Sequence, residues 1–254
     1  MKPLILATND DGIDSFFLRE LVEAHTPDFR VVIAAPLREQ SWVGRAFSRL
    51  RDVAVEARGN LWGAEAAWAV DGTPSDCVNI ALGNLLAAGE RPTAVISGIN
   101  IGYNITMPLS LSSGTLAGAV EGAAWGLAAL AFSLELPDEE YLRAQRNHGE
   151  VAGLARESLH YAAARAARFT SAYAGKPLSG VTVRNINFPY LCLPDTPDEE
   201  TAPAAVHLGK LYSEVAPGVF RFKWVKGEPK VGGGDATDFA CLSRGHISHT
   251  LLRY

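Results

Sequence analysis

Hydrophobic residues fall along the chain in short blocks, separated by stretches with helical periodicity. Leu4–Ala7 is a compact apolar block that runs straight into polar residues. Ser15–Ala24 then places Phe17, Leu18, Leu21 and Val22 on one helical face. Val31–Ala35 is unbroken and closed by Pro36, the pattern of a strand buried on both faces. Pro74, after Gly72-Thr73, marks a helix start, with Val78, Ile80, Ala81 and Leu85 as its apolar positions. Ala94–Ile96 reads as another buried strand, Thr115–Trp125 as a helix of small residues, and Ala128–Leu134 as the strand after it. Strands alternating with helices predict right-handed crossovers and a mostly parallel sheet, an α/β fold.

The pattern then changes. Pro137–Glu150 is charged and polar and reads as an exposed connection. Val151–Phe169 carries an apolar helical face through Val151, Leu154, Ala155, Leu159 and Ala162. From Pro177 onward Pro and Gly become frequent, and Val181–Val183, Val206–Tyr212, Val219–Val225 and Cys241–Leu252 read as strands. The expectation is a single domain over residues 1–254. It has a Rossmann-like core to about residue 176 and a β-rich extension over about 177–254.

Composition narrows the options. The 254 residues are 48% hydrophobic and 20% charged, enough for a substantial core. Net charge is 23 − 28 = −5 with no basic stripe, so a nucleic-acid polymer is not expected as the main partner. Cys77, Cys192 and Cys241 are odd in number and widely spaced, which points to free thiols in a reducing compartment and away from a zinc cluster. His246 and His249 sit three apart in a strand-like segment and should face opposite sides. The longest apolar stretch, Gly122–Leu134, is too short for the ~20 residues of a membrane span, and no secretory signal is visible. A cytoplasmic protein without a membrane partner is expected.

Candidate chemistry sits just after the apolar blocks. Asn9-Asp10-Asp11-Gly12 follows the first, and adjacent carboxylates repel unless a hard cation keeps both ionised. An ordinary strand-to-helix turn, capped by Asp14 or Ser15, is the plainer reading. Ser41 follows the second block and offers a hydroxyl to a metal or phosphate, or is a loop serine. Ser97-Gly98-Ile99-Asn100-Ile101-Gly102-Tyr103-Asn104 follows Ala94–Ile96. Its Asn carbonyls suit Mg²⁺, Mn²⁺ or Ca²⁺, and its composition also suits an Asx-turn loop. Ser112-Ser113-Gly114-Thr115 opens a helix, either as an anion site or as a simple N-cap.

Taken in order, Asn-Asp-Asp-Gly, Ser41, Gly72-Thr73-Pro74-Ser75-Asp76-Cys77-Val78, Ser-Gly-Ile-Asn-x-Gly-x-Asn, Ser-Gly-Thr and Asn185-x-Asn187-Phe188-Pro189 resemble the SurE family, the survival-protein-E nucleotidases. The resemblance spans nearly the whole chain. It implies hydrolysis of nucleoside 5′- and 3′-monophosphates with one divalent ion, Mg²⁺ or Mn²⁺. It carries the metal to Asp10, Asp11, Ser41 and Asn100, and the general base to Asp10 or Asp11. The phosphate would lie on Ser113, Gly114 and Thr115 with Asn104 nearby, and Asn9 would orient the acidic loop at the substrate. It also implies a homodimer or homotetramer joined through the β-rich extension. Departures from the family are Trp42 where a small residue is usual, the stretch Ile105–Ser112, and Thr250-Leu251-Leu252 in place of Thr-Pro-Leu. A haloacid-dehalogenase-type phosphatase would need Asp-x-Asp spacing with a covalent aspartyl-phosphate. A receiver-type module would be about half as long, with a later phosphoacceptor Asp.

Overall fold

The computed structural model describes residues 2–223 and 234–254. Its first half runs β1 (Leu4–Thr8), α1 (Phe16–His25), β2 (Arg30–Pro36), β3 (Val55–Gly59), β4 (Ala66–Val70) and α2 (Pro74–Ile80), which continues as a wider π turn over Ala81–Leu85. Next come β5 (Ala94–Ile101), α3 (Met107–Ser112), α4 (Gly114–Ala124) and β6 (Ala128–Leu134). Then follow α5 (Asp138–Ala144), α6 (Gly153–Tyr173), β7 (Thr182–Phe188) and β8 (Asp198–Thr201). The last described elements are β9 (Tyr212–Ala216), β10 (Val219–Phe222), α7 (Asp238–Ser243) and β11 (Ile247–Arg253).

Nine of the described strands form one sheet in the order β3-β4-β2-β1-β5-β6-β7-β11-β8. Neighbours are parallel except β3 with β4 and β7 with β11. The expected α/β fold with a mostly parallel sheet is therefore present. Helices cover both faces, as a doubly buried sheet requires. One layer rests on Phe17, Leu18 and Leu21 of α1 and Leu159, Ala162 and Ala163 of α6. The opposite layer rests on Cys77 and Val78 of α2 and on Leu116, Ala119 and Val120 of α4. The chain leaves β1 for β2 on one side and returns to pair β5 on the other. That reversal is a topological switch point, where open α/β sheets bind ligands beyond the strand carboxyl ends.

Several sequence expectations change here. Pro137–Glu150 is not simply a connection, because Asp138–Ala144 is a helix with three carboxylates in its positively polarised first turn. Val206–Leu211 is not a strand, and pairing begins only at Tyr212, where β10 supplies a partner. Val219–Val225 is a strand to Phe222, and Trp224 and Val225 lie outside the described residues. Cys241 belongs to α7, whose N-cap Thr237 accepts the Ala240 amide, so the last strand begins only at Ile247. The strands after residue 176 are divided: β7, β11 and β8 continue the main sheet, and the β9–β10 pair stands apart from it.

His25 closes α1 against α6 and is fully buried. Its Nδ1 lies 2.7 Å from the Leu21 carbonyl, which only accepts, and its Nε2 lies 2.9 Å from Thr170 Oγ1. Burial is the main reason its pKa is pushed down to about 4. The unfolded chain takes up this proton near pH 6.5, so the stability is complete above that pH and drains away as pH falls toward 4. The loss from this group should be about 3 kcal/mol. Denaturant melts at pH 7 and pH 4.5 should show a smaller difference for His25→Leu than for the wild type. An equal difference in the two proteins would remove His25 from the account.

Candidate active site at the switch point

The acidic turn leaves the carboxyl end of β1. Gly12 takes φ +100°, a region open to glycine, and lets the chain double back so that Asn9 Nδ2 donates to the Gly12 carbonyl at 2.9 Å. The Gln40 amide donates to the Asp10 carbonyl at 2.7 Å, which lays the loop after β2 along the acids. Asp10 is buried and Asp11 half-buried. Burial pushes the Asp10 carboxyl up to about 6, with the Thr115 hydroxyl pulling the other way. Asp11 is raised well above the usual carboxylate range, first by burial and then by the charge of Asp10. Glu39 adds a smaller push to both.

Ser41 lies half-buried on that loop, and its Oγ donates to Glu39 Oε1 at 2.7 Å. A dense set of tethers holds the loop. The Gly44 amide donates to the Ser112 carbonyl at 3.0 Å, and Thr73 Oγ1 to the Ala46 carbonyl at 2.7 Å. The Ser48 amide reaches Asp76, and Arg45 pairs with the buried Glu121 at 2.6 Å. Thr73 and Asp76 also form the reciprocal capping box of α2. The Gly-Thr-Pro-Ser-Asp-Cys motif thus positions the Ser41 loop from beneath. Trp42, at φ +61°, leans on Phe222 of β10 with ring centroids 5.0 Å apart.

Asn100 stands at the end of β5, where the pairing with β6 slips between Ser97 and Asn100. Its Nδ2 donates to the Gly102 carbonyl at 2.9 Å, which leaves Oδ1 as the group to offer a cation. The next amide, Ile101, donates to Asp11 Oδ2 at 3.2 Å, so Asn100 and Asp11 are neighbours. Tyr141 of α5 stands beside the Asn100 loop, where a Cβ on Gly102 would meet its ring at 3.2 Å and Asn100 Nδ2 at 3.9 Å, a placement that sequence reasoning missed. Its hydroxyl is pushed up to about 12, first by burial and then by the charges of Asp11, Glu39 and Asp10. An isolated tyrosine in a charged segment carries no signal of such a position.

The N-terminus of α4 closes the site. Ser113 caps it, its Oγ accepting the Leu116 amide at 3.1 Å. Gly114 lies so close to the acidic turn that a Cβ there would stand 2.8 Å from Asp10 Cβ and 2.8 Å from the Gln40 carbonyl. Thr115 and Asn104 are engaged differently from the expected phosphate contact. Thr115 Oγ1 donates to Asp10 Oδ1 at 2.6 Å, and Asn104 Nδ2 donates to Thr115 Oγ1 at 3.2 Å and Ser133 Oγ at 3.0 Å. Both side chains are spent inside the protein, so backbone amides of the helix end remain the groups for an anion.

The donor set fits a hard divalent cation. Asp10, Asp11, Ser41 and Asn100 offer oxygen only, and the two raised carboxylates are groups that a cation would return to the charged form. No group of three or more His, Cys, Asp or Glu with metal-binding placement occurs among the described residues, in keeping with a set of two carboxylates, one hydroxyl and one amide.

The family profile described as survival protein SurE matches residues 5–213. The chain belongs to the SurE family. Curated SurE relatives named 5′-nucleotidase SurE include one from Methanosarcina barkeri, 32% identical over 262 residues, covering 98% of this chain and 91% of the relative. Another, from Geobacter metallireducens, is 34% identical over 257 residues, covering 98% and 90%. The crystal structure of the SurE protein from Aquifex aeolicus shares the fold at TM-score 0.74 and 23% identity, covering 99% of this chain and 93% of that one. The SurE match thus takes in β1, β5 and α4, the three elements that build the site.

Proposed function

We propose that the chain is a metal-dependent phosphomonoesterase that hydrolyses nucleoside 5′-monophosphates, and 3′-monophosphates in second place. The observation that carries this reading is the pair of adjacent carboxylates at the switch point, facing Asn100 of β5 and the N-terminus of α4. The names of the curated relatives support the nucleotide as substrate.

Asp10, Asp11, Ser41 and Asn100 would hold the ion. When bound, a divalent cation supplies Lewis acidity toward a phosphoryl oxygen and a more acidic water. Asp11, half-buried and holding one backbone hydrogen bond, takes the proton of the attacking water. Asp10, pinned by Thr115, keeps its place as ligand. Free amides at the start of α4, around Ser113 and Gly114, receive the non-bridging oxygens, and Asn9 keeps the acidic turn closed beneath them. The exposed apolar side chains of β9 and β10, Tyr212, Val215, Val219 and Phe220, support self-association as a dimer or tetramer. Among the described residues no helix is long and apolar enough to cross a membrane.

The test is a matrix of metals against nucleoside monophosphates and p-nitrophenyl phosphate. Chelation with EDTA should abolish turnover reversibly, and Mn²⁺ or Mg²⁺ should restore it better than Ca²⁺, which prefers more and longer oxygen contacts. Turnover that survives exhaustive chelation would sink the reading.

A further inference from the structure

Two asparagines of β7 do work that the proposed chemistry does not name. The backbone of Asn104 is gripped at both ends: its amide donates to Asn187 Oδ1 at 2.7 Å, and its carbonyl accepts from Asn185 Nδ2 at 2.7 Å. Asn185 and Asn187 are both buried and lie two apart on one strand, so they face the same side. From Asn104 the chain of contacts runs through Nδ2 to Thr115 Oγ1 at 3.2 Å and on to Asp10 Oδ1 at 2.6 Å. Asn185-x-Asn187 is visible in the sequence as a motif, but separations of 81, 83, 11 and 105 residues hide what these side chains touch.

We infer that Asn185 and Asn187 are positioning residues for Asp10, acting through Asn104 and Thr115 to fix the orientation of that carboxylate toward the cation. This rests on the metal reading above.

The residue types follow from donor and acceptor counting. An ionised carboxylate only accepts, so the Thr115 hydroxyl must donate to Asp10. Having spent its one proton, that hydroxyl must accept from its other neighbour, and the Asn104 amide nitrogen meets this need. Asn104 holds this direction only while its own backbone is fixed. Asn187 accepts the peptide amide and Asn185 donates to the peptide carbonyl, with Asn187 Nδ2 a longer second donor to that carbonyl at 3.5 Å. Every link is buried, where each hydrogen bond is stronger and each loss dearer than in water. Groups one shell out from a metal ligand tune its affinity in this way. The same loop has a second anchor that does not lead to Asp10: the Thr106 amide donates to Asp238 Oδ2 at 2.7 Å. This anchor does not depend on the asparagines, so their effect on Asp10 should be separable from folding.

The experiment is calorimetric titration of Mn²⁺ alone into the wild type, Thr115→Val, Thr115→Ser, Asn187→Ala and the double variant Asn187→Ala/Thr115→Val. Circular dichroism of each checks the fold. Thr115→Val and Asn187→Ala should each weaken Mn²⁺ binding about 10-fold or more. Thr115→Ser, which keeps the hydroxyl, should stay within about twofold of wild type. The double variant should be no weaker than Thr115→Val by more than about twofold, because both changes cut one chain of contacts. The KM for p-nitrophenyl phosphate at saturating Mn²⁺ should not move. Wild-type Mn²⁺ affinity in folded Thr115→Val, or additive losses in the double variant, would overturn the inference alone. A wild type that binds no Mn²⁺ would overturn the metal reading as well. If Asn187→Ala does not fold, Asn185→Ala, which releases the other end of the Asn104 peptide, takes its place in the same cycle, and wild-type Mn²⁺ affinity in a folded asparagine variant overturns the inference.

Discussion

Asp10→Asn and Asp11→Asn should each lose phosphatase turnover by about 10³-fold or more, and neither should be less stable than the wild type in metal-free buffer. A cation at such a site contributes several kcal/mol of transition-state stabilisation, and each 1.36 kcal/mol is tenfold in rate. Stability runs the other way. Both carboxylates are raised by burial, and Asp11 also by its neighbour's charge, so ionising them costs the metal-free fold free energy at neutral pH. That cost is absent below the unfolded pKa near 3.8 and fully present above about 6 for Asp10, so the metal-free protein loses this contribution as pH rises through that window. A neutral Asn removes the cost, with a gain on the order of 1–3 kcal/mol at pH 7. Turnover with saturating Mn²⁺ and melting in EDTA are the two measurements. Full activity in either variant would remove the acids from the site, and a marked fall in metal-free stability would remove the repulsion.

The apolar blocks that read most clearly as strands are those buried on both faces. Leu4–Ala7, Val31–Ala35, Ala94–Ile96 and Ala128–Leu134 became β1, β2, β5 and β6, the centre of the sheet. What escaped was made by tertiary pairing. β8 is Asp-Glu-Glu-Thr, three of its four residues poor strand formers, and exists because β11 offers it a parallel partner. β3 is largely exposed and lies at the sheet edge, so it carries no apolar block to find. Val206–Leu211 looked like part of a strand by composition, but among the described residues the ladder begins only at Tyr212, with Leu211 contributing a single carbonyl to the Lys223 amide.

The site was legible in its parts and not in its wiring. Asp10, Asp11, Asn100 and the start of α4 do converge, because each ends or begins an element at one edge of the sheet. The division of labour was not legible. Thr115 looked like a phosphate ligand because hydroxyls beside a glycine at a helix start suit an anion. Here its hydroxyl turns inward to Asp10, 105 residues away in sequence. Tyr141 comes from a segment whose local sequence speaks only of a solvated loop, and Asn187, though part of a family motif, showed nothing in sequence of its partner Asn104.

Gly114→Ala should be destabilised by about 1–3 kcal/mol and lose about 10²-fold or more in turnover, with Gly114→Val worse in both. The direction is opposite to what helix propensity gives, since Ala in place of Gly ordinarily favours a helix by about 1 kcal/mol. Space decides the sign. The new methyl would stand 2.8 Å from Asp10 Cβ, 2.8 Å from the Gln40 carbonyl and 3.0 Å from Asp10 Oδ2. None of these is the free end of a flexible side chain. The Gln40 carbonyl is backbone in a loop tied to Asp10, and the Asp10 side chain is held by Thr115. Relief therefore requires α4 to back away from the acidic turn or Asp10 to rotate. Either movement displaces the carboxylate from the place where Thr115 holds it, and a misplacement of about 1 Å at a reacting centre costs about 10²-fold. Thermal melts, Mn²⁺ titration and steady-state kinetics on the two variants test this together. A Gly114→Ala protein as stable and active as the wild type would mean that the helix end and the acidic turn do not touch, and the site as built would have to be redrawn.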